Sequence, residues 1–194
     1  MTLPLARPAR ADARRNYDAL VAAARTAFLE RGADASLEDI ARRAGVGIGT
    51  LYRRFPNRQA LLEAVYLEEI QAMCEGAAKL ADLPPWQALE TWLRDFLDFG
   101  LSKQAFAGEL VDALGKDSEF FIACKKTMLD TLTLLVARAV ESGDVRRDAA
   151  PADVLRLVGG IAHSYKPDPE QSHRLLGIVL DGLRARWPTR ASSW

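Results

Sequence analysis

The chain has 194 residues, of which 49% are hydrophobic, and this composition supports a packed core rather than a disordered protein. Its 26 basic residues equal its 26 acidic residues, but residues 1–60 carry 11 basic and 6 acidic side chains, which predicts a polyanion-binding head on an acidic body. The sequence has no secretory signal, no apolar run of the roughly 18 residues that span a bilayer, and no Cys-x-x-Cys motif. We therefore expect a cytoplasmic protein without membrane contact, disulfide framework, metal site or cofactor.

Apolar residues recur at helical spacing along the chain and predict an all-α fold. The first helix is expected to end near Gly32, which can adopt a left-handed conformation. Ser36 and Asp39 form a predicted capping box, in which the serine hydroxyl accepts a backbone N–H and the acid reaches back. A turn at 44–46 separates this second, short helix from a third, and Asn57 is placed to cap a long fourth helix.

The second half of the sequence predicts longer helices that carry most of the aromatic residues. One helix is expected over 85–101, and a separate shorter one over 106–114. A long apolar pattern predicts a helix over 118–142. Pro151 opens the next helix, and Asp168, followed by proline, caps the last one.

Residues 36–62 carry the pattern on which the functional prediction rests. Two short helices joined by a tight turn at Gly45 are typical of a helix-turn-helix, whose second helix lies in the DNA major groove. Small residues let that backbone approach a phosphate, arginines suit phosphate oxygens, and Thr50 and Tyr52 can donate hydrogen bonds. The predicted DNA contacts are Arg42, Arg43, Gly47, Ile48, Gly49, Thr50, Tyr52, Arg53, Arg54 and Arg58. The alternative is that the arginines form an ordinary solvated face.

The head also contains a characteristic string of short motifs. They are Ile40-Ala41, Ala44-Gly45-Val46, Gly49-Thr50-Leu51-Tyr52, Phe55-Pro56-Asn57-Arg58 and Leu61-Leu62. Over residues 14–66 this string resembles the DNA-binding head of the tetracycline-repressor-like (TetR) transcription regulators. The resemblance implies a repressor that binds a palindromic operator as a homodimer and is released by a small organic effector held in the helical body.

The same resemblance assigns roles to individual residues. It implies DNA contacts at Thr50, Tyr52 and Arg54, and a phosphate-side group at Arg58, where the family often has lysine. Gly47 departs from the family's frequent serine or threonine, which removes a side-chain phosphate contact but leaves the helix start intact.

Other functional classes are weakly supported by the sequence. The glycines at 45, 47 and 49 do not form a nucleotide-binding fingerprint, because the residues before them are predicted to be helical and no Walker lysine follows. We find no common hydrolase or zinc-protease motif, so an enzyme is not expected. The main alternative is a helical ligand-binding or interaction module in which DNA binding is vestigial.

The resemblance also implies an effector pocket and a dimer interface in the body. Ligand sites are lined mostly by apolar and aromatic side chains, and a lining of this kind suits a flat or apolar organic effector. The candidate lining residues are Trp92, Phe96, Phe99, Phe106, Phe121, Cys124 and Met128. Phe99 is the strongest of these because it lies off the main apolar stripe of its helix. Close backbone packing at mid-helix glycines and a wide apolar face predict dimer contacts at Gly159, Gly160, Leu176, Val179, Leu180, Leu183 and Trp187. Burial of these residues within one chain is the alternative in both cases.

The predicted domain organisation has four parts. Residues 1–15 are predicted to form a flexible arm whose arginines follow the DNA backbone or enter a minor groove, the alternative being a disordered tail with incidental charge. Residues 16–62 form the DNA-binding domain. Residues 63–188 form the effector-binding and dimerisation domain, and residues 189–194 form a tail.

Overall fold

The computed structural model describes residues 8–164 and 168–185, with the side chains of 104–106 outside the description. The regular elements of these residues are helices, which confirms the all-α prediction. They are α1 (Ala11–Arg31), α2 (Leu37–Arg43), α3 (Ile48–Arg54), α4 (Arg58–Lys79), α5 (Pro85–Leu114), α6 (Glu119–Glu141), α7 (Pro151–Ala162) and α8 (Pro169–Leu183), with a 3-10 turn at Gly32–Asp34. α1 begins at Ala11, so Arg14 and Arg15 of the predicted arm lie in this helix.

Local sequence signals set the helix ends. The Ser36 hydroxyl accepts a hydrogen bond from the Asp39 N–H at 3.0 Å, and Asn57 Oδ1 accepts one from the Ala60 N–H at 2.8 Å. Asp168 caps α8 through the Glu170 N–H at 3.1 Å. These three predicted caps are confirmed. The Asp39 carboxylate, however, does not complete the capping box, because it is held by Arg42 and Arg43.

The predicted break between residues 101 and 106 is wrong. α5 is one helix of 30 residues, from Pro85 to Leu114. No proline lies inside this span after its first residue, and the helix ends only at Gly115, whose φ of 80° is left-handed. The buried face of α5 continues through Gly100, Lys103, Ala107 and Leu110, and the charged Lys103 interrupts its apolar pattern, which imitates a helix boundary in the sequence.

The chain divides into two compact units. Unit 1 contains Met1–Ala72 and Ser102–Lys125, and unit 2 contains Met73–Leu101 and Lys126–Trp194. The fully buried side chains of unit 1 include those of Tyr17, Leu20, Phe28, Ile40, Leu51, Phe55 and Leu61. Those of unit 2 include Trp92, Leu89, Leu93, Leu132 and Leu176.

Unit 2 contains one very close contact between helices. A Cβ atom added at Gly100 of α5 would lie 2.5 Å from the Cβ atom of Ala162 on α7. One turn earlier on α5, Phe96 faces Gly159 of α7, where an added Cβ would lie 3.8 Å from its ring. Gly100 therefore fixes the spacing of α5 and α7, a role that the sequence pattern does not predict.

Replacing Gly100 by alanine should destabilise the protein, although alanine favours helix formation. The added methyl group must displace α7, and overpacking of this kind costs about 1–3 kcal/mol. Gly108→Ala is the matched control on the same helix, because nothing lies within 4 Å of its added Cβ. That variant should be stabilised by up to about 1 kcal/mol. Urea unfolding of both variants checks this, and equal stabilisation of the two would contradict the close contact.

Candidate nucleic-acid interface

A two-helix element in unit 1 is joined by a turn of defined geometry. α2 ends at Arg43 with Ala44 as its C-cap, after which Gly45 has a φ of 69°. The Val46 N–H donates to the Ala41 carbonyl at 3.0 Å, and the Gly45 N–H donates to the Arg42 carbonyl at 3.1 Å. This pair of hydrogen bonds is a Schellman motif, which favours glycine at the left-handed position. The predicted role of Gly45 in reversing the chain is confirmed.

α3 presents one face to the core and one to the solvent. Leu51 and the following Phe55 are completely buried, and Phe55 lies against Tyr17 of α1 with ring centroids 5.6 Å apart. The opposite face is exposed at Tyr52 and Arg53, while Thr50 is half-buried. Burial of one face thus determines which side chains of this short helix face the surroundings.

The predicted contacts at the start of α3 are also exposed. Gly47, Ile48 and Gly49 lie at the surface, and a Cβ added at either glycine would have no atom within 4 Å. Packing within the chain therefore does not require glycine at these positions. Their missing side chains leave room for another molecule to approach this part of the backbone.

Two of the predicted arginines lie on α2 beside one carboxylate. Arg43 donates from Nε to Asp39 at 2.8 Å and from Nη1 to Glu30 at 2.8 Å, and Arg42 also binds Asp39. Burial acts to raise the pKa of the Asp39 carboxyl, but the hydrogen bonds and charges of Arg42 and Arg43 outweigh it and hold the pKa below its usual value. The Arg42 side chain remains 80% exposed and accessible to an anion.

The arginines at the end of α3 border a small groove. The Arg54 guanidinium lies 4.9 Å from the Tyr17 ring centroid, and the Arg53 guanidinium donates to Thr50 Oγ1 at 3.2 Å. The groove encloses about 180 Å³ and is lined by Ala13, Asn16, Tyr17, Leu20, Thr50, Arg53 and Arg54. Asn16 was not predicted as a site residue, because a single amide on α1 carries no motif.

Arg58 points in another direction. It is the first residue of α4, and its guanidinium binds the carbonyl oxygens of Gly32 and Ala35 and the carboxylate of Glu109. Its side chain is 23% exposed. The structure does not place Arg58 with the exposed cations of α2 and α3.

The predicted effector residues are divided between the two units. In unit 2, Trp92 is fully buried and stacks on Phe96 with ring centroids 5.6 Å apart, Phe99 is half-buried and Met128 is buried. The Trp92 Nε1–H has no hydrogen-bond partner among the described residues.

In unit 1, Phe121 contacts Tyr66 and Phe120. Burial, with a smaller effect of Cys124, raises the pKa of Tyr66. Cys124 is itself buried, and the side chain of Phe106 lies outside the described residues.

The predicted dimer residues differ in exposure. Leu176, Leu180 and Leu183 of α8 are buried within the chain. Gly160 is exposed with open space around it, Gly159 and Val179 are half-buried, and Trp187 lies outside the described residues. The large exposed apolar side chains of α7 and α8 are Leu157, Leu175 and Ile178, which the prediction did not include.

Residues 8–164 and 168–185 contain no cluster of His, Cys, Asp or Glu that could hold a metal ion, and none of their helices is long and apolar enough to cross a membrane. An open cavity of about 600 Å³ in unit 2 is lined by 140–143, 145–148, Arg184 and Ala185. It contains none of the predicted effector residues.

Comparison with known proteins gives two family matches. Residues 20–65 match the model described as bacterial regulatory proteins, tetR family. Residues 84–185 match the model described as transcriptional regulator SbtR-like, C-terminal domain. The first match includes α2, α3 and the turn between them, and the second includes α5 to α8.

Solved structures and a curated protein are also similar. A TetR transcriptional regulator from Streptomyces coelicolor is 40% identical, with 88% of this chain and 99% of that chain covered and a TM-score of 0.73. A TetR transcription regulatory protein from Mycobacterium vanbaalenii is 35% identical, with 91% and 99% covered and a TM-score of 0.69. The TetC protein of transposon Tn10 from Escherichia coli is 34% identical over 85 residues, which is 43% of this chain and 43% of TetC.

The two kinds of match agree with the geometry of the chain. The C-terminal family model spans more than half of the 194 residues, and the N-terminal model covers the helix-turn-helix. The two solved relatives match along nearly their whole length. The chain belongs to the TetR family of transcriptional regulators.

Proposed function

We propose that this protein is a cytoplasmic repressor that binds a palindromic DNA operator as a homodimer and is released by a small organic effector. The observation that carries the proposal is the two-sided structure of α3. Its inner face is fixed by the buried Leu51 and Phe55, so its outer face offers Thr50, Tyr52 and two small residues in a constant orientation. A helix of this kind can read base edges in the major groove.

We assign two roles at the DNA to different side chains: reading a base edge and binding phosphate oxygens. Tyr52, with a hydroxyl on a side chain that is 45% exposed, is placed to read a base edge. Arg42, Arg53 and Arg54 supply the charge for phosphate oxygens, and Asn16 adds a neutral donor at the groove between α1 and α3. The glycines at 47 and 49 allow the DNA backbone to come close.

Operator binding is tested first with the intact protein and duplexes selected from genomic fragments. If each head neutralises four to six phosphates, log K of the dimer should fall against log salt with a slope of about −7 to −11.

Tyr52→Phe should weaken operator binding by about 1–3 kcal/mol and leave binding to random DNA unaffected. Arg53→Ala is the comparison, because loss of a phosphate contact should weaken both. A slope near zero would favour vestigial DNA binding, and equal losses on both duplexes would make Tyr52 a positioning contact.

The proposed dimer surface is the exposed apolar face of α7 and α8. Leu157 is 56% exposed and Ile178 is 68% exposed. Gly160, three residues after Leu157 on α7, has open space around it and would allow another backbone to approach. Leu175 and Ile178 are three residues apart, so both lie on one face of α8. Exposed apolar patches of this kind mark interaction surfaces, and a symmetric pair of such faces would form a four-helix bundle.

The dimer is tested by Ile178→Glu. Because Ile178 is exposed in the single chain, this change should leave the subunit folded but place a charge in the apolar interface. We expect a monomer by sedimentation at micromolar concentration, where the parent protein is a dimer. Leu134→Glu on α6 is the matched control, since Leu134 is 69% exposed, and it should stay dimeric. A dimeric Ile178→Glu variant would place the interface elsewhere.

The proposed effector site in unit 2 centres on Trp92. A buried N–H without a partner costs about 1–3 kcal/mol and is rare in native proteins, so this group calls for a partner such as a ligand or an ordered water. The stacked rings of Trp92 and Phe96 are buried in the single chain, so a flat molecule that contacts them would have to open the packing beside them. We therefore propose an effector that combines an apolar ring with a hydrogen-bond acceptor for the indole N–H.

Trp92→Phe tests this anchor, using a compound found by screening for release of the protein from its operator. The variant keeps an aromatic ring but loses the donor, so the release midpoint should rise about 2- to 13-fold, equivalent to one hydrogen bond of about 0.5–1.5 kcal/mol. Trp86→Phe is the control, because the Trp86 Nε1–H already donates to Glu90 at 2.8 Å. A midpoint unchanged in Trp92→Phe, or raised equally in both variants, would remove Trp92 from the site.

A further inference from the structure

Arg58 makes an unusually complete set of contacts for a residue expected to face DNA. Its Nε and Nη2 atoms donate to the two carboxylate oxygens of Glu109 at 2.6 and 3.2 Å. Nη2 also donates to the Gly32 carbonyl at 2.8 Å, and Nη1 donates to the Ala35 carbonyl. The guanidinium plane lies over Phe28, with its carbon 4.8 Å from the ring centroid. All three nitrogens are therefore engaged within unit 1.

The acceptors of Arg58 come from two parts of unit 1 that are distant in sequence. Gly32 and Ala35 belong to the connection between α1 and α2, and the next residue, Ser36, caps α2. Glu109 lies near the end of α5. Arg58 thus fastens the segment that sets the start of α2 to the last turns of α5.

The contacts of Arg58 can affect α3 because only α2 and a tight turn separate α3 from the segment that Arg58 holds. α2 packs on α1 and leads into α3 through the Schellman turn at Gly45. A bidentate pair between guanidinium and carboxylate fixes both distance and orientation, which a single contact would not do. A change at Glu109 therefore reaches the start of α2, and through it α3.

To contact a phosphate, the Arg58 guanidinium would have to break its hydrogen bonds to Glu109 and to the backbone carbonyls of Gly32 and Ala35. The adjacent Glu109 carboxylate also cancels its charge and would repel a phosphate. The side chains of Arg58 and Glu109 are 23% and 31% exposed, so the pair is shielded in part from the solvent.

We propose that Arg58 is a positioning residue which, clamped by Glu109, holds the helix-turn-helix in its DNA-binding arrangement and makes operator affinity depend on the position of the end of α5. The proposal rests on the proposed operator binding. It adds a residue pair whose role differs from the phosphate-side role that the family resemblance implies for Arg58.

Glu109→Gln separates the two roles because they predict changes of opposite sign. If Arg58 positions the head, the loss of the charged partner should weaken binding to the selected operator by about 5- to 30-fold, with the salt slope unchanged. If Arg58 instead binds phosphate, the same change frees its charge and should strengthen binding with a steeper slope. Asp112→Asn, an exposed acid one turn away on α5, removes the same charge and should leave affinity close to that of the parent.

The operator affinities of Arg58→Lys and Arg58→Gln also distinguish positioning from phosphate binding. Lysine keeps the charge but cannot form the bidentate pair, so positioning predicts a loss of affinity in Arg58→Lys, whereas a phosphate contact predicts little change. The double variant Arg58→Gln with Glu109→Gln should bind the operator no more weakly than Arg58→Gln alone, because the pair acts as one unit.

A readout without DNA makes the result independent of the proposed function. Amide hydrogen exchange in α2 and α3 should be faster in Glu109→Gln than in Asp112→Asn. If the parent protein fails to bind any duplex, the operator proposal fails while exchange still tests the clamp. Parent-like exchange in Glu109→Gln, or parent-like operator affinity in that variant, would overturn the positioning role.

Discussion

The orientation of α3 depends on the burial of Phe55 against Tyr17, and much of the head is organised around this contact. The rings lie 5.6 Å apart at the end of a helix of seven residues, which is too short to be stable without tertiary packing. Leu51 is buried one turn earlier on the same face. With that face fixed, Tyr52 and Arg53 can only point outward, and the Schellman turn at Gly45 has one direction in which to enter α3.

Residues 1–60 contain 11 arginines and 6 acidic residues, but the positive charge that they leave available at the surface is smaller than this difference suggests. Arg43 is paired with Asp39 and Glu30, and Arg58 is paired with Glu109, a residue distant in sequence. Two of the arginines nearest the helix-turn-helix therefore stabilise the folded head. The surface charge comes from a smaller set, and it includes the exposed Arg42, whose partner Asp39 is shared with Arg43.

Features set by residues within about one helical turn can be predicted from the sequence. Features set by contacts between residues far apart in the chain cannot. Caps such as Ser36 and Asn57 act within one helical turn, so they could be predicted. The ion pair of Arg58 joins residues 51 positions apart and leaves no local signal. In α8 the apolar spacing indicates an apolar face, but spacing alone cannot show that Leu180 is covered by its own chain while Ile178 is exposed.

The contact between Gly100 and Ala162 also restricts how unit 2 can move. Sliding α7 along α5 by one turn would take Ala162 away from the glycine and press it against a residue that carries a side chain. Packed helices usually adjust to ligands by small sliding motions, or by hinge rotation at element ends. Because this register leaves no room for sliding, α7 and the part of α5 that belongs to unit 2 (85–101) should move as a single rigid pair, and any rearrangement within unit 2 has to be absorbed in the segments that flank them.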